Sequence, residues 1–237
     1  LTTVLALAGI GLVMVYSSSM YFAFDRVGSG TFYFKKQAIR LIISLTFMIL
    51  LSKANYRGFA KKAPLLLFIG FSLLIYLLIR KYMSGKYVMR WIRFGSYGFQ
   101  PSEFMKIFLI FYLSAAIARL GEKIRSFTKG LLPLLAVVGA AFGLIVLQPD
   151  FGIAGLTLVI CFYMIYIGRA RLLHLILLTV PSVISLAFIV NYIPYMKERW
   201  TSFTHPELNP EANYQIMQSL IGIGSGGIFG VGIGNSR

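Results

Sequence analysis

The sequence predicts an all-α polytopic membrane protein, a multi-span helical bundle with a long extracytoplasmic loop. Of its 237 residues, 58% are hydrophobic and only 13% are charged, a composition more apolar than that of ordinary soluble domains. The charged residues gather between apolar runs that recur along the chain. Such recurrence is typical of several spanning helices rather than of one signal peptide. Helices satisfy their own backbone polar groups, so they are the expected way for these runs to cross a bilayer.

The net charge of +16 and the single cysteine narrow the expected partners and cofactors. In a soluble protein this charge would suggest nucleic acid. Here the cations flank apolar runs, so anionic lipid headgroups or an anionic lipid substrate are the expected partners, and no nucleic acid is expected. Because Cys161 has no second cysteine to join, the sequence excludes an internal disulfide and a cysteine-cluster metal site.

The apolar runs predict a single transmembrane domain with seven spans. The spans cover residues 1–16, 38–51, 63–79, 102–118, 131–147, 152–168 and 172–193, followed by an outer loop at 194–237. Ten Lys and Arg residues lie on one side of these spans and eleven on the other, so the positive-inside count does not decide the orientation. The chain begins inside an apolar run and ends in a polar segment. We therefore expect it to be an incomplete part of a longer protein.

The segment between the third and fourth predicted spans concentrates charge at a membrane surface. Gln100 and Pro101 predict a helix start, because proline at the first helical position loses no needed N–H. Glu103 then lies in the first turn, where the helix dipole favours an anion. Lys106 follows three residues later on the same helix face and can pair with it. We interpret Glu103 and Lys106 as a structural pair that lines a functional cavity.

Arg90 and Arg93 flank Trp91 in the same segment, and two interpretations of them remain open. Guanidinium groups match phosphate oxygens bidentately, so the two arginines could clamp a lipid-linked pyrophosphate. Alternatively, the three residues could form an ordinary interfacial anchor, since aromatic and basic residues commonly flank membrane spans.

Polar residues further along the chain present the same choice between a ligand role and a structural role. Asp150 lies in the short turn between two apolar runs, where it could cap the next helix or contact a substrate or cation. Tyr214, Gln215, Gln218 and Ser219 recur at helical spacing and form a polar stripe. Such a stripe of hydroxyls and amides suits sugar recognition, but a helix face turned to water would show the same pattern.

Three segments together carry a resemblance to a known family. They are RWIRFGSYGFQPSEFMK at 90–106, LQPDFG at 147–152 and YQIMQSLIGIGSGG at 214–227. In residues, order and spacing they resemble the SEDS family (shape, elongation, division and sporulation), which includes FtsW, RodA and SpoVE. The segment GVGIGNSR at 230–237 is more similar to the FtsW/SpoVE branch than to RodA.

The resemblance implies a function and a location. SEDS proteins typically have ten spans, so three more are expected outside this chain. The implied activity is that of a peptidoglycan glycosyltransferase, which polymerises lipid II into glycan strands outside the bacterial cytoplasmic membrane during division or growth. A lipid II flippase and a non-catalytic scaffold for a penicillin-binding transpeptidase are the alternatives. The implied partners are lipid II, undecaprenyl-pyrophosphate-linked glycan and a class B penicillin-binding protein.

The resemblance also implies a substrate site and a catalytic base. The candidate substrate-binding residues are Arg90, Trp91, Arg93, Glu103, Lys106, Asp150, Arg199, Tyr214, Gln215, Gln218, Ser219 and Asn235. The family's essential aspartate lies in a segment beyond Arg237, so residues 1–237 alone are expected to be inactive. If they were active, Asp150 would become the candidate base. A divalent cation, Mg²⁺ or Mn²⁺, could assist at the pyrophosphate, although no protein metal ligands are predicted.

Overall fold

A computed structural model of the chain describes residues 1–85, 89–95, 97–177, 192, 194–205 and 213–232. Helices dominate these residues, as the composition predicts. The elements are, in order, α1 (Thr2–Val27), α2 (Phe32–Ser52), α3 (Tyr56–Met83), β1 (Ile92–Phe94), β2 (Tyr97–Phe99), α4 (Pro101–Leu120), α5 (Leu132–Val146), α6 (Phe151–Ile167), α7 (described at 172–177), α8 (Pro194–Thr204) and α9 (Tyr214–Gly226). A 3₁₀ helix (Gly121–Arg125) and a π-helical turn (Phe127–Leu131) join α4 to α5.

Several of these helices are suited to a bilayer. Four segments of the described chain are long and apolar enough to cross a membrane, at Thr2–Val27, Tyr56–Met83, Pro101–Arg125 and Phe127–Val146. The shorter α6 is also apolar. Large apolar side chains remain exposed on their outer surfaces, where lipid rather than water would contact them. The chain is therefore an α-helical multi-pass membrane protein.

The chain divides into two compact units. One comprises Leu1–Ala54 and Leu186–Arg237, and the other comprises Asn55–Ser185. In the first unit, α1 ends at Gly28, whose φ of 71° is a left-handed conformation that favours glycine at a helix end. The chain then reverses into α2, and the rings of Tyr16 and Phe34 meet edge to face with centroids 5.6 Å apart.

The second unit is built from α3 to α6 and has a continuous apolar core. Asn55 starts α3 by accepting a hydrogen bond from the backbone N–H of Arg57 at 3.0 Å, the usual role of a helix N-cap. A Cβ added at Gly70 would lie 2.6 Å from the Met105 sulfur, so the absent side chain lets α3 and α4 approach closely. The core side chains include Leu67, Leu74, Met105, Leu109, Leu113, Leu131, Leu134, Val138, Ala141, Ile145, Ala154, Cys161 and Ile165.

A two-stranded antiparallel hairpin, which was not predicted from the sequence, lies in the connection between α3 and α4. Its register pairs Ile92 with Phe99, Arg93 with Gly98 and Phe94 with Tyr97. Gly95 in the two-residue loop has a φ of 58°, which only glycine adopts readily and which two-residue hairpin turns require. The ring of Phe99 stacks on that of Phe104 with centroids 4.5 Å apart, so the hairpin rests on α4.

Helices α1 to α4 are longer than the predicted spans, whereas α5 and α6 are close to the predicted 131–147 and 152–168. The predicted second span at 38–51 lies within α2, and residues 194–237, predicted as a loop, contain α8 and α9. Hydropathy marks only the stretch that suits hydrocarbon, whereas backbone hydrogen bonds continue a helix past that limit. Of the predicted span at 172–193, residues 178–191 and 193 lie outside the described residues.

Candidate functional site

The turn between α5 and α6, formed by residues 147–150, is held in place by side chains from several elements. Lys81, in the last turn of α3, donates from Nζ to the carbonyl oxygen of Leu147 at 2.8 Å. Gln148, only 1% exposed, donates from Nε2 to the carbonyl oxygen of Leu74 at 3.1 Å. A buried amide of this kind needs a partner, and here the partner connects the turn to the middle of α3.

Arg90 holds the same turn from the hairpin side. Its Nε donates to the carbonyl oxygen of Gln148 at 3.4 Å, and its Nη2 donates to that of Pro149. Its Nη1 lies 3.7 Å from Oδ1 of Asp150, whose side chain is only 8% exposed. The guanidinium thus satisfies two turn carbonyls and balances a buried carboxylate, which would otherwise be costly.

Gln100 completes this arrangement from the start of α4. Its Nε2 donates to Oδ2 of Asp150 at 2.7 Å and lies 3.1 Å from the hydroxyl of the fully buried Ser102. Asp150 occupies the N-cap position of α6 but makes no side-chain capping bond. Its carboxylate therefore ties the starts of α4 and α6 together instead of capping its own helix, so the simple capping interpretation is wrong.

Arg93 differs from Arg90 in its surroundings. Ile92 is 7% exposed and turns inward, and the alternation of side chains along a strand turns Arg93 to the opposite face. Arg93 is exposed and, in the described part of the chain, forms no ion pair or side-chain hydrogen bond. Trp91, 51% exposed, packs across Gly98, where an added Cβ would lie 3.0 Å from its ring. The hairpin therefore presents a free guanidinium beside an exposed indole.

Glu103 and Lys106 pair as the sequence predicts, with Nζ 2.7 Å from Oε2. The Lys106 side chain is 14% exposed and that of Glu103 is 47% exposed. The ammonium group is thus drawn into the helix bundle while the carboxylate faces outward. Together, the side chains that hold the α5–α6 turn form what we call the Asp150 network, which comprises Lys81, Arg90, Gln100, Ser102, Gln148 and Asp150. Since α4 begins at the residue after Gln100, the Glu103–Lys106 pair lies within two turns of this network.

The remaining candidate residues belong to the other unit. Tyr214, Gln215, Gln218 and Ser219 all lie on α9, as the helical spacing predicts, and all four are exposed. The Ser219 hydroxyl donates to the Gln215 carbonyl oxygen at 2.8 Å. Arg199 lies in α8, but its side chain is outside the described part of the structure, and so is the whole of Asn235. The role of all these residues in substrate binding stays a prediction.

Four polar residues of the network escaped the sequence analysis as site candidates, namely Lys81, Gln100, Ser102 and Gln148. A signal was present for two of them. Gln100 and Gln148 each precede a proline beside an apolar run, and a polar side chain at such a helix break commonly satisfies freed backbone groups. Lys81 and Ser102 carry no such signal, because only the packing of α3 and α4 brings them to the turn.

The described residues offer little to a metal ion on their own. Within them, no three His, Cys, Asp or Glu side chains lie together. The carboxylates nearest the hairpin are occupied, since Asp150 meets Arg90 and Gln100, and Glu103 meets Lys106. Mg²⁺ often binds through one or two carboxylates together with substrate phosphates, so a requirement for Mg²⁺ or Mn²⁺ stays a prediction.

Comparison with curated proteins identifies relatives along nearly the whole chain. Stage V sporulation protein E of Bacillus subtilis (strain 168) is 34% identical over 235 residues, which are 98% of this chain and 64% of that protein. Probable peptidoglycan glycosyltransferase FtsW of Nitrosococcus halophilus (strain Nc4) is 35% identical over 235 residues, which are 98% of this chain and 60% of that protein. This chain thus spans about three-fifths of the length of these relatives. Both relatives agree with the predicted FtsW/SpoVE branch.

A solved structure gives the same result for the fold. The study of that structure concerns the "structural coordination of polymerization and crosslinking by a peptidoglycan synthase complex". The similarity covers 92% of this chain and 65% of the solved chain, with a TM-score of 0.64 and 26% sequence identity. A family model described as "Cell cycle protein", for FtsW, RodA and SpoVE, matches residues 1–237. The resemblance stated from three motifs is therefore confirmed, and this chain belongs to the FtsW/RodA/SpoVE family.

Proposed function

We propose that the full-length protein is a peptidoglycan glycosyltransferase that polymerises lipid II into glycan strands. Family membership supports the proposal, together with relatives named as probable peptidoglycan glycosyltransferases. The observation that carries it at the level of geometry is the exposed Arg93 beside Trp91, which pairs with no other described residue, next to the α5–α6 turn that Arg90 contacts. A cation presented in this way suits a negatively charged leaving group.

The reaction sets the requirements for the site. A sugar 4-hydroxyl attacks the anomeric carbon of a second unit, forming the new C–O bond and releasing its proton to a general base. The bond from the anomeric carbon to the pyrophosphate oxygen breaks, and its electron pair leaves with undecaprenyl pyrophosphate. Cations that meet this developing charge accelerate the step. We expect the general base to be the aspartate that the family resemblance assigns to a segment beyond Arg237.

The two arginines of the hairpin take different roles in this proposal. Arg93 contacts the pyrophosphate, because a free guanidinium can donate two parallel hydrogen bonds to phosphate oxygens. Arg90 is a positioning residue, since its guanidinium is engaged by the turn carbonyls and Asp150. Lys106 adds positive charge close to the network, although its ion pair with Glu103 offsets part of it.

We also propose the membrane, the orientation and the partners. The protein lies in the bacterial cytoplasmic membrane, with the hairpin outside and the basic segments 55–62, 119–129 and 169–171 inside. Lipid II and undecaprenyl-pyrophosphate-linked glycan are its substrate and product, and a class B penicillin-binding protein is its partner. The similarity to a chain of a solved peptidoglycan synthase complex supports the partner. The Tyr214, Gln215, Gln218 and Ser219 stripe is proposed to contact the sugars.

The test is lipid II polymerisation by the purified full-length protein with its penicillin-binding partner. We compare wild type with Arg93→Ala, Arg93→Lys and Arg80→Ala. Arg80 is a matched control, because it is an exposed cation in the last turn of α3, at the same end of the unit as the hairpin. Arg93→Ala should lower the polymerisation rate by about 100-fold, Arg93→Lys should restore part of it, and Arg80→Ala should change it by less than about twofold.

The other outcomes separate the alternatives. Full polymerisation activity in Arg93→Ala would show that Arg93 does not bind the pyrophosphate and would favour its interpretation as an interfacial anchor. Transport of lipid II across vesicle membranes without polymer, by folded protein with its partner, would favour a flippase. A scaffold would be favoured if polymer formation depended only on the partner's own activity. Substitutions of Arg90 and Arg93 would then leave polymer formation unchanged.

A further inference from the structure

A cavity lies at the opposite end of the second unit from the hairpin. It is an open pocket of about 250 Å³ and is formed where the start of α3, the end of α4 and the start of α5 come together. Its lining residues are Ala63, Pro64, Tyr112, Ala115, Ala116, Arg119, Leu120, Pro133 and Leu134. Small side chains on α3 and α4 leave the space unfilled, and the exposed Arg119 marks its mouth.

The cavity has an apolar wall with two polar groups set at different depths. Arg119 and Tyr112 lie on the same helix seven residues apart, or about 10 Å along its axis. Within the described residues, neither side chain makes a hydrogen bond or an ion pair to another protein group. A guanidinium at the mouth and a phenol further inside match the phosphate and the ester region of a phospholipid, with the apolar wall beside its acyl chain.

The charge around the mouth favours an anionic ligand. Packing brings the three basic segments to one end of the unit, since a Cβ added at Gly168 would lie 2.7 Å from Ile117 and 3.1 Å from Ile124. Phe59 likewise stacks on Phe111 with centroids 5.5 Å apart. The cations at this end are Arg57, Lys61, Lys62, Arg119, Lys123, Arg125, Lys129, Arg169 and Arg171. Against these nine, segments 55–62, 119–129 and 169–171 hold a single carboxylate, Glu122, which leaves a formal net charge of +8.

We propose that this cavity binds one phospholipid with an anionic headgroup, its phosphate against Arg119 and part of an acyl chain between α3, α4 and α5. The helices that form the cavity are long and apolar enough to cross a membrane, so the acyl chains of a surrounding bilayer lie beside it. An acyl chain in the cavity gains van der Waals contacts with its apolar wall. The surrounding positive charge selects an anionic headgroup over a zwitterionic one. The site is separate from the hairpin and goes beyond the proposed glycosyl transfer.

Native mass spectrometry of the full-length protein tests the site. The detergent-purified protein is titrated with dioleoylphosphatidylglycerol or dioleoylphosphatidylcholine, and the fraction carrying one lipid is measured. Wild type should bind the anionic lipid about tenfold more tightly than the zwitterionic one, and Arg119→Gln should remove most of that preference. Lys129→Gln is the matched control, because it removes an exposed charge at the same end outside the cavity lining. It should change affinity by less than about twofold.

A second variant tests the apolar part. Ala115→Leu fills cavity space from a partly exposed position and should weaken binding of both lipids. Thermal unfolding in detergent, unchanged in each variant, establishes that the protein is folded. Equal losses in Arg119→Gln and Lys129→Gln would overturn the proposal in favour of diffuse surface charge. Displacement of the lipid by inorganic phosphate, or unaltered binding in Ala115→Leu, would overturn the acyl-chain contact.

Discussion

Arg90 and Arg93 lie three residues apart yet meet different environments. Arg90 contacts two turn carbonyls and faces the buried Asp150, whereas Arg93 is exposed on the other face of the hairpin. Within β1, Arg93 follows the inward-facing Ile92 and therefore points to the opposite face, whereas Arg90 lies in the segment before β1 and reaches the α5–α6 turn. At the scale of the residue, Arg90 is structural because it precedes β1 and contacts the turn, and Arg93 is available to a ligand because it lies on the exposed face of β1.

Removing Arg90 should therefore destabilise the protein, whereas removing Arg93 should not. Arg90→Gln leaves the Asp150 carboxylate with Gln100 alone and should lower the free energy of unfolding by about 1–3 kcal/mol. Arg93→Gln should change it by less than about 0.5 kcal/mol. Denaturant unfolding of the full-length protein, followed by tryptophan fluorescence, measures both values.

The double variant Arg90→Gln with Asp150→Asn provides the control. It should recover part of the stability lost in Arg90→Gln, because the buried carboxylate is then neutral. If the stability loss of the double variant equalled the sum of the losses in Arg90→Gln and Asp150→Asn, the two side chains would not be coupled across their 3.7 Å separation.

At the scale of the element, the connection between α4 and α5 depends on one glycine. A Cβ added at Gly130 would overlap the Lys123 carbonyl oxygen and lie 2.6 Å from the Ile124 Cα. These are backbone atoms, so they cannot rotate away as the end of a side chain can. The turn that brings Lys123 and Gly130 together therefore requires the absence of a side chain.

Gly130→Ala should destabilise the protein by about 1–3 kcal/mol, because the backbone of the turn must shift to admit the methyl group. Gly139→Ala on α5 is the matched control, since nothing lies within 4 Å of its added Cβ. The control should lose no stability, because alanine is the better helix former. Thermal unfolding of the three proteins measures the difference. Similar behaviour of the two variants would contradict the close contact at Gly130.

At the scale of the whole molecule, the helices arrange charge at two ends of the second unit. The hairpin and the Asp150 network lie at one end, and the basic segments surround a cavity at the other. The counts of basic residues on the two sides are nearly equal, so charge alone does not orient the protein in the membrane. The orientation proposed above can be tested directly.

Cysteine labelling in intact cells should report the two ends separately. Ser84 follows α3 at the hairpin end, Ser126 lies in the connection after α4, and both are exposed. A membrane-impermeant maleimide should label Ser84→Cys in intact cells, but Ser126→Cys only after permeabilisation. The native Cys161 is fully buried and should react little, so wild type supplies the background. Reversed labelling would overturn the orientation, and labelling of both positions from one side would contradict a membrane-spanning α4, the long helix between them.

The sequence by itself determined the class of fold, the family and the start of α4. Gln100 and Pro101 begin that helix, Glu103 and Lys106 pair on it, and residues 214–219 are helical, as predicted. These features follow from hydropathy, local spacing and helix-start preferences, which are properties of neighbouring residues. Helix ends were less predictable, because hydropathy reports the part of a helix that suits hydrocarbon and not where its hydrogen bonding stops.

Only the tertiary structure decided which polar groups meet. Asp150 is 50 residues from Gln100 and 60 from Arg90 in the chain, and only the packing of α4 against α6 and of the hairpin over the α5–α6 turn brings them together. The separate environments of Arg90 and Arg93 likewise depend on a hairpin that no hydropathy pattern indicated. Local sequence specifies local conformation, but contacts between distant residues depend on how the helices pack, because that packing alone determines which side chains become neighbours.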